Sequence, residues 1–255
     1  MLVIHRDSPS AARPEVHVGD LGPMAGQMLA DAIAQSIQKT GRCRLGLAGG
    51  TTPAPVYAWL RAHLPQASYR GLQVTWCDER LLPAAPRHPG DWQAYDPEHN
   101  LRAAYAEWLA HVPLPPEQVL PLTLGGAPAA ECVRFGRAFA EQFAGGLDIA
   151  LLGVGGDGHI ASLFPEHPAL DLDDLCLLIH NSPKPPAERL TLALPTLNRA
   201  GQVVVLATGR DKGQLLAQVW RGQREELPVA RLSDRAVSWL VDAAAGRELA
   251  AAALE

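Results

Sequence analysis

The chain has 255 residues, 47% of them hydrophobic and 19% charged, enough apolar material for a full core and far from the composition of a disordered chain. A formal net charge of −5 offers no global attraction to nucleic-acid phosphates or an anionic membrane, so an anionic ligand has to be held by a local cationic cluster. The opening Met1-Leu-Val-Ile-His-Arg-Asp meets charge after four residues, and no run approaches the ~18 apolar residues of a membrane span, so a cytoplasmic protein with neither nucleic-acid nor membrane partners is expected.

Residues 16–18 read as the end of a strand, after which Asp20 is set to cap a helix whose apolar residues Met24, Met28, Leu29, Ile33 and Ile37 recur with a 3.6-residue period. Residues 45–47 form the next strand, ending in Gly49-Gly50. Thr52 suits an N-cap with Pro53 at the first helical position, and Val56, Leu60 and Leu64 make the apolar stripe of the helix that follows. After a strand at residues 74–77, the Pro-, His- and Asp-rich segment 83–97 reads as a loop. A helix is predicted around residues 100–110, and another carries Phe135, Phe139 and Phe143 on one core-facing stripe. Residues 147–154 and 202–207 are short continuous apolar runs, the signature of strands buried on both faces of a parallel sheet. A strand at 176–180 lies between them. Helices after Asp211 and after Asp242, separated by a strand at 237–241, complete the pattern. The four cysteines, Cys43, Cys77, Cys132 and Cys176, form no C-x-x-C pair and read as reduced core residues, not as metal ligands.

This alternation implies a doubly wound, mostly parallel sheet flanked by helices, a Rossmann-like α/β architecture in a single domain over residues 1–255. Such sheets hold ligands beyond the carboxyl ends of their strands. The polar residues just past each strand should therefore form one chemical set.

Past the second strand stand Gly49, Gly50, Thr51 and Thr52, at the start of a helix. Two glycines allow close backbone approach, two hydroxyls can donate, and a helix N-terminus presents unpaired N–H groups to an anion. An ordinary strand-to-helix turn is the alternative; a Walker A loop is excluded by the missing lysine and spacing. Asp78, Glu79 and Arg80 follow the third strand, where an arginine fork would suit a phosphate or carboxylate, although surface charges at a strand end are common. Past residues 147–154 comes Gly155-Gly156-Asp157-Gly158-His159, three glycines with an ionisable pair. A histidine titrating near neutrality can take a proton from water there. A dinucleotide-binding reading of the glycines is weakened because no acidic residue suited to a ribose follows about twenty residues later on a strand end. Past residues 176–180, prolines stiffen the loop that carries Lys184 and leads to Arg189. Arg80, Lys184 and Arg189 would supply the local cationic cluster.

Together these residues resemble the 6-phosphogluconolactonase family, within a larger group that includes the glucosamine-6-phosphate deaminases. The likeness runs through the Gly-Gly-Thr-Thr-Pro loop from Gly49, Asp78-Glu79-Arg80, Asn100, Gly155 to Pro165, Ser182 to Arg189 with Thr191, Asn198, and Trp239 with Asp242. The resemblance implies hydrolysis of 6-phosphoglucono-lactone to 6-phosphogluconate in the oxidative pentose phosphate pathway, with a small sugar-phosphate lactone as partner and neither organic cofactor nor metal. It leaves the oligomeric state open. The deaminase branch continues Ala-Phe-Asn-Glu-Pro where this chain has Ala161-Ser162-Leu163-Phe164-Pro165, so Phe164 replaces an acidic residue, and a phenyl ring shuttles no proton. A deaminase or isomerase, and a sugar-phosphate sensor without activity, are the competing readings. Three departures from the lactonase pattern are Ala48 and His99, each in place of a common serine, and Glu166, in place of a glycine that often follows Phe-Pro. The first two are expected to bear on hydrogen bonding to substrate and the third on the loop's path.

A lactone is an activated ester, so water made nucleophilic by one base suffices. His159 is the expected base and Asp157 its orienting partner. Gly49, Gly50, Thr51, Thr52, Asp78, Arg80, Lys184 and Arg189 are expected around the substrate and its phosphate.

Overall fold

The computed structural model describes residues 2–4, 14–82, 89–232 and 237–254. Its elements in chain order are β1 (Leu2–Ile4), β2 (Glu15–Val18), α1 (Leu21–Thr40), β3 (Cys43–Leu47), α2 (Ala54–His63), β4 (Leu72–Trp76), β5 (Asp78–Arg80), α3 (Asn100–Glu107) and β6 (Val119–Leu120). They continue with α4 (Pro128–Gln142), β7 (Ile149–Gly153), β8 (Cys176–Ile179), β9 (Arg189–Leu192), α5 (Leu194–Asn198), β10 (Gln202–Ala207), α6 (Arg210–Trp220), β11 (Val237–Val241) and α7 (Ala243–Ala253).

Local chemistry sets several boundaries. The Asp20 side chain accepts the Gly22 N–H and starts α1, and Gly41, at φ 79°, ends it in the left-handed conformation that glycine adopts without a Cβ clash. Asp242 caps α7 through the Ala245 N–H and also accepts the Gly209 N–H, which ties the start of α6 to the start of α7. Helix α3 is shorter than the predicted 100–110 because Trp108, at φ −138°, breaks it before a 3-10 turn at Leu109–His111. Of the predicted loop 83–97, residues 83–88 lie outside the described residues, and Pro89–Ala94 forms 3-10 turns.

Among the described residues, eight strands form one sheet in the order β1-β2-β11-β10-β7-β3-β4-β6, parallel at every pairing except β1 with β2. From β3 the chain steps outward to β4 and β6, then returns to β7 beside β3 and moves the opposite way through β10 and β11. The crevice between the carboxyl ends of β3 and β7 is therefore a topological switch point, where diverging connections leave room for a ligand.

A second, antiparallel sheet of order β5-β9-β8 departs from the predicted pattern. Residues 176–180, predicted as one more strand of the alternation, pair here as β8. The charges Asp78 to Arg80, read as following the end of the third strand, form a strand of their own, β5. Arg189–Leu192 was not predicted as a strand: Arg-Leu-Thr-Leu alternates polar and apolar, but over only four residues directly after a proline-rich loop, and in the fold all four positions are buried. Its strand character comes from its partners, Asp78 opposite Thr191 and Leu178 opposite Leu190.

The buried apolar side chains form one contiguous cluster that includes Leu47 and Leu152 of the large sheet and Leu190 and Leu192 of the small one. Phe135, Phe139 and Phe143 belong to it, with ring centroids 5.6 and 5.0 Å apart in sequence. All four cysteines are free thiols. No helix among the described residues is long and apolar enough to cross a membrane.

Candidate active site

At the end of β3 the chain turns through Gly49, Gly50, Thr51 and Thr52 into α2. A Cβ on Gly49 would lie 1.9 Å from the Asn100 Oδ1, so only glycine lets the β3 turn and α3 approach this closely. Thr52 is not the N-cap that the sequence predicted. The cap position is Pro53, without a side-chain bond. The physical reason is that a Thr52 cap needs the N–H of residue 54 or 55. Pro55 has none, and the Ala54 N–H donates to the Thr51 carbonyl.

Strand β5 brings three charges to the same crevice, and each has a different role. The Asp78 carboxylate accepts the Ser162 Oγ–H at 2.6 Å on Oδ2 and the Asn100 Nδ2–H at 3.0 Å on Oδ1. Glu79 points inward and accepts the backbone N–H groups of Arg80, Asn100 and Leu101. Burial pushes its carboxyl up to about 8 against the pull of those three donors. It fastens β5 to the start of α3. Arg80 donates from Nη1 to the Glu98 carbonyl at 2.8 Å.

Past β7, the Gly155 N–H donates to the His159 carbonyl and the Gly158 N–H returns to Gly155, closing the glycine loop on itself. A Cβ on Gly155 would sit 2.0 Å from His159 Nδ1 and 2.6 Å from Asp157 Oδ1, so this glycine makes the space for the ionisable pair. His159 Nδ1 lies 2.5 Å from Asp157 Oδ1. A carboxylate only accepts and an ammonium only donates, so Nδ1 bonds one of its two neighbours. Assigned to the shorter contact, the ring proton sits on Nδ1 toward Asp157, Nε2 keeps its lone pair, and Lys184 bonds the carboxylate and not the ring. Lys184 Nζ completes a triangle, 3.0 Å from Asp157 Oδ2 and 3.0 Å from His159 Nδ1.

Electrostatics sort these groups. Burial lowers the His159 pKa below its ordinary value; the Asp157 carboxylate pulls it back up, and the Lys184 charge pushes it down again. The ring is thus neutral at neutral pH. Burial alone would favour a protonated Asp157, but hydrogen bonds from His159 and Lys184 outweigh it and hold the carboxyl at about 2. The His159 side chain is 19% exposed, so solvent reaches the ring. Phe164 packs against one side of it, with centroids 4.9 Å apart, and the Arg189 guanidinium lies 5.7 Å from the same phenyl ring.

The sequence-predicted residues meet around one cavity of about 290 Å³: Gly49 to Thr52, Asp78, Arg80, His159 and Arg189 all line it. Asp157 and Lys184 do not; they stand behind His159. The Lys184 ammonium pairs with Asp157, and the Ser182 hydroxyl receives the Lys184 N–H and donates to its carbonyl, which holds the loop backbone. Arg189 is buried, with Nη2 donating to the carbonyls of Pro185 and Lys184. Two further polar residues line the cavity. Asn100 was known only through its place in the motif set, and Lys212, in the first turn of α6, was missed. The same strand-end rule, applied to β10 and the Thr208-Gly209-Arg210-Asp211-Lys212 that follows, would have found it. Burial and the nearby Lys184 charge both lower the Lys212 pKa. Four cations thus surround or back the cavity against the carboxylates of Asp78 and Asp157, an excess suited to a dianion.

Of the three departures, Ala48 is buried with its carbonyl accepting the Tyr57 hydroxyl, and His99 is buried against Tyr95 without lining the cavity. Glu166 takes φ 60°, a conformation that favours glycine.

Residues 19–240 match the family described as glucosamine-6-phosphate isomerases/6-phosphogluconolactonase. A 6-phosphogluconolactonase of Rattus norvegicus is 34% identical over 248 residues, which cover 90% of this chain and 90% of the relative. One of Streptomyces coelicolor is 32% identical over 268 residues, covering 97% and 94%. Among solved structures, the 6-phosphogluconolactonase from Trypanosoma cruzi is similar with a TM-score of 0.79 at 25% identity, over 94% of this chain and 98% of that one.

Proposed function

The chain belongs to the family of glucosamine-6-phosphate isomerases and 6-phosphogluconolactonases, and on that footing we propose that it hydrolyses 6-phosphoglucono-lactone to 6-phosphogluconate, the lactone-opening step of the oxidative pentose phosphate pathway. One observation carries the reading. A neutral histidine, its Nδ1 engaged by Asp157, opens onto the same cavity as a glycine-threonine turn and three cationic side chains.

In this reading the C6 phosphate rests on the turn of Gly49, Gly50, Thr51 and Thr52, with Lys212, Arg80 and Arg189 supplying positive charge. His159 Nε2 takes a proton from a water as its oxygen attacks C1. The imidazolium that results is stabilised by Asp157, and the cations of the lining stabilise the C1 oxyanion. Collapse of the tetrahedral intermediate breaks the bond from C1 to the ring oxygen, which receives the proton from Nε2. The carboxylic acid formed then ionises, so each turnover releases one proton. Phe164 argues against deamination, since its ring packs on His159 where the related branch carries a carboxylate.

The test is a pH-stat measurement of acid release from freshly prepared 6-phosphoglucono-lactone, with spontaneous opening subtracted. His159→Ala is expected to fold normally and to lower kcat by roughly 10²–10⁴, the usual worth of a general base. Near-normal turnover in that variant removes His159 from the mechanism. A wild-type protein that binds 6-phosphogluconate but does not accelerate hydrolysis is a sensor.

A further inference from the structure

Ser162 lies in the turn that follows His159, next to Ala161, whose φ of 49° swings the chain sharply there. It is a fully buried polar residue, 0% exposed, and its surroundings fix it from two sides. Its N–H donates to Thr191 Oγ1 at 3.3 Å, and Thr191 Oγ1 in turn donates to the Leu192 carbonyl. Its own hydroxyl crosses from the β7 loop to the small sheet and donates to Asp78 Oδ2 at 2.6 Å. Asn100 donates to the other oxygen, Oδ1.

The consequence lies in the chemistry of Asp78. Both donors are uncharged, so neither neutralises the carboxylate. Each occupies one oxygen, so the group cannot rotate to follow a ligand. Asp78 faces the cavity as an acceptor held in one orientation. A sugar-phosphate lactone offers only one kind of group that such an acceptor attracts, its hydroxyls; the phosphate and the C1 carbonyl are both repelled. In a cavity otherwise rich in cations, which attract phosphate and carbonyl alike, Asp78 is the element that can tell the two ends of the substrate from its hydroxyl edge.

We propose that Ser162 is a positioning residue for lactone hydrolysis: with Asn100 it locks the Asp78 carboxylate as acceptor for a hydroxyl of the sugar ring, which orients C1 toward His159. This rests on the lactonase reading above.

The experiment compares wild-type and Ser162→Ala on 6-phosphoglucono-lactone and on its 2-deoxy, 3-deoxy and 4-deoxy analogues, made by oxidising the corresponding deoxyglucose 6-phosphates. On the full substrate, Ser162→Ala should lower kcat/KM about 5- to 30-fold, the range for one hydrogen bond to a charged group that keeps a second donor, with the loss shared between KM and kcat because the same contact binds the ring and orients C1. On the analogue that lacks the hydroxyl Asp78 receives, wild-type is already weakened and the additional effect of Ser162→Ala disappears. If Ser162→Ala does not fold, Ser162→Cys, close in size and a poorer donor, carries the same comparison. Equal penalties on all four lactones make Ser162 a packing residue and overturn the proposal. Failure of the underlying reading looks different: wild-type itself then leaves the lactone unhydrolysed.

Discussion

At His159 two charged neighbours act on one ring with opposite sign, and this gives the site a test at the scale of single residues. Only the unprotonated ring has a lone pair for water, so kcat/KM falls as pH drops through the His159 pKa. Because burial lowers that pKa from 6.5, activity should persist further into acid than an exposed histidine would allow. Asp157 raises the pKa and Lys184 lowers it. Asp157→Asn should therefore move the acid limb to lower pH, and Lys184→Ala should move it to higher pH, with some of their turnover retained. Shifts in the same direction in the two variants would contradict the triangle. At this scale the sequence was legible in part. The glycine-rich run and the loop prolines singled out Asp157, His159 and Lys184, but Lys184 was read as a ligand cation, because only the fold brings residue 184 back against residue 157.

Among the elements, the small sheet is tied to its surroundings by side-chain bonds to backbone as well as by its own ladders. Glu79 joins β5 to α3 by accepting the Asn100 N–H on Oε1 and the Leu101 N–H on Oε2, and it also accepts the Arg80 N–H of its own strand on Oε1. Above about pH 8, where the Glu79 carboxyl is ionised, Glu79→Gln replaces one acceptor oxygen by an NH2 that faces a backbone N–H, and should cost about 1–3 kcal/mol, the penalty of a buried donor left unsatisfied. Urea unfolding would show it as a lower midpoint at unchanged slope; an unchanged midpoint would mean that the tie contributes nothing. The large sheet's strands could be read because runs such as residues 202–207 are long and buried on both faces. The small sheet could not. Three-residue β5 and four-residue β9 are shorter than any window in which a period shows, and their pairing joins residues more than a hundred positions apart.

For the molecule as a whole, a net charge of −5 coexists with a cavity bordered by Arg80, Arg189 and Lys212, so anion binding belongs to the fold and not to the overall charge. The product 6-phosphogluconate should bind there and stabilise the native state by about 2.7 kcal/mol when present at 100 times its Kd. A thermal-shift titration would read this as a rise in Tm, and Lys212→Ala should need a higher ligand concentration for the same rise. An unaltered titration in that variant would place the phosphate elsewhere. The sequence by itself determined the strand–helix alternation, the cap at Asp20, and the run from Gly155 to Pro165, because hydrophobic period, capping and backbone permissiveness act over a few neighbouring residues. Tertiary structure alone decided that Lys184 backs the base, that Ser162 and Asn100 grip Asp78, and that Lys212 faces the cavity. Each of these depends on the reversal of strand order between β3 and β7 and on the small sheet laid beside it, which set distances that no local pattern encodes.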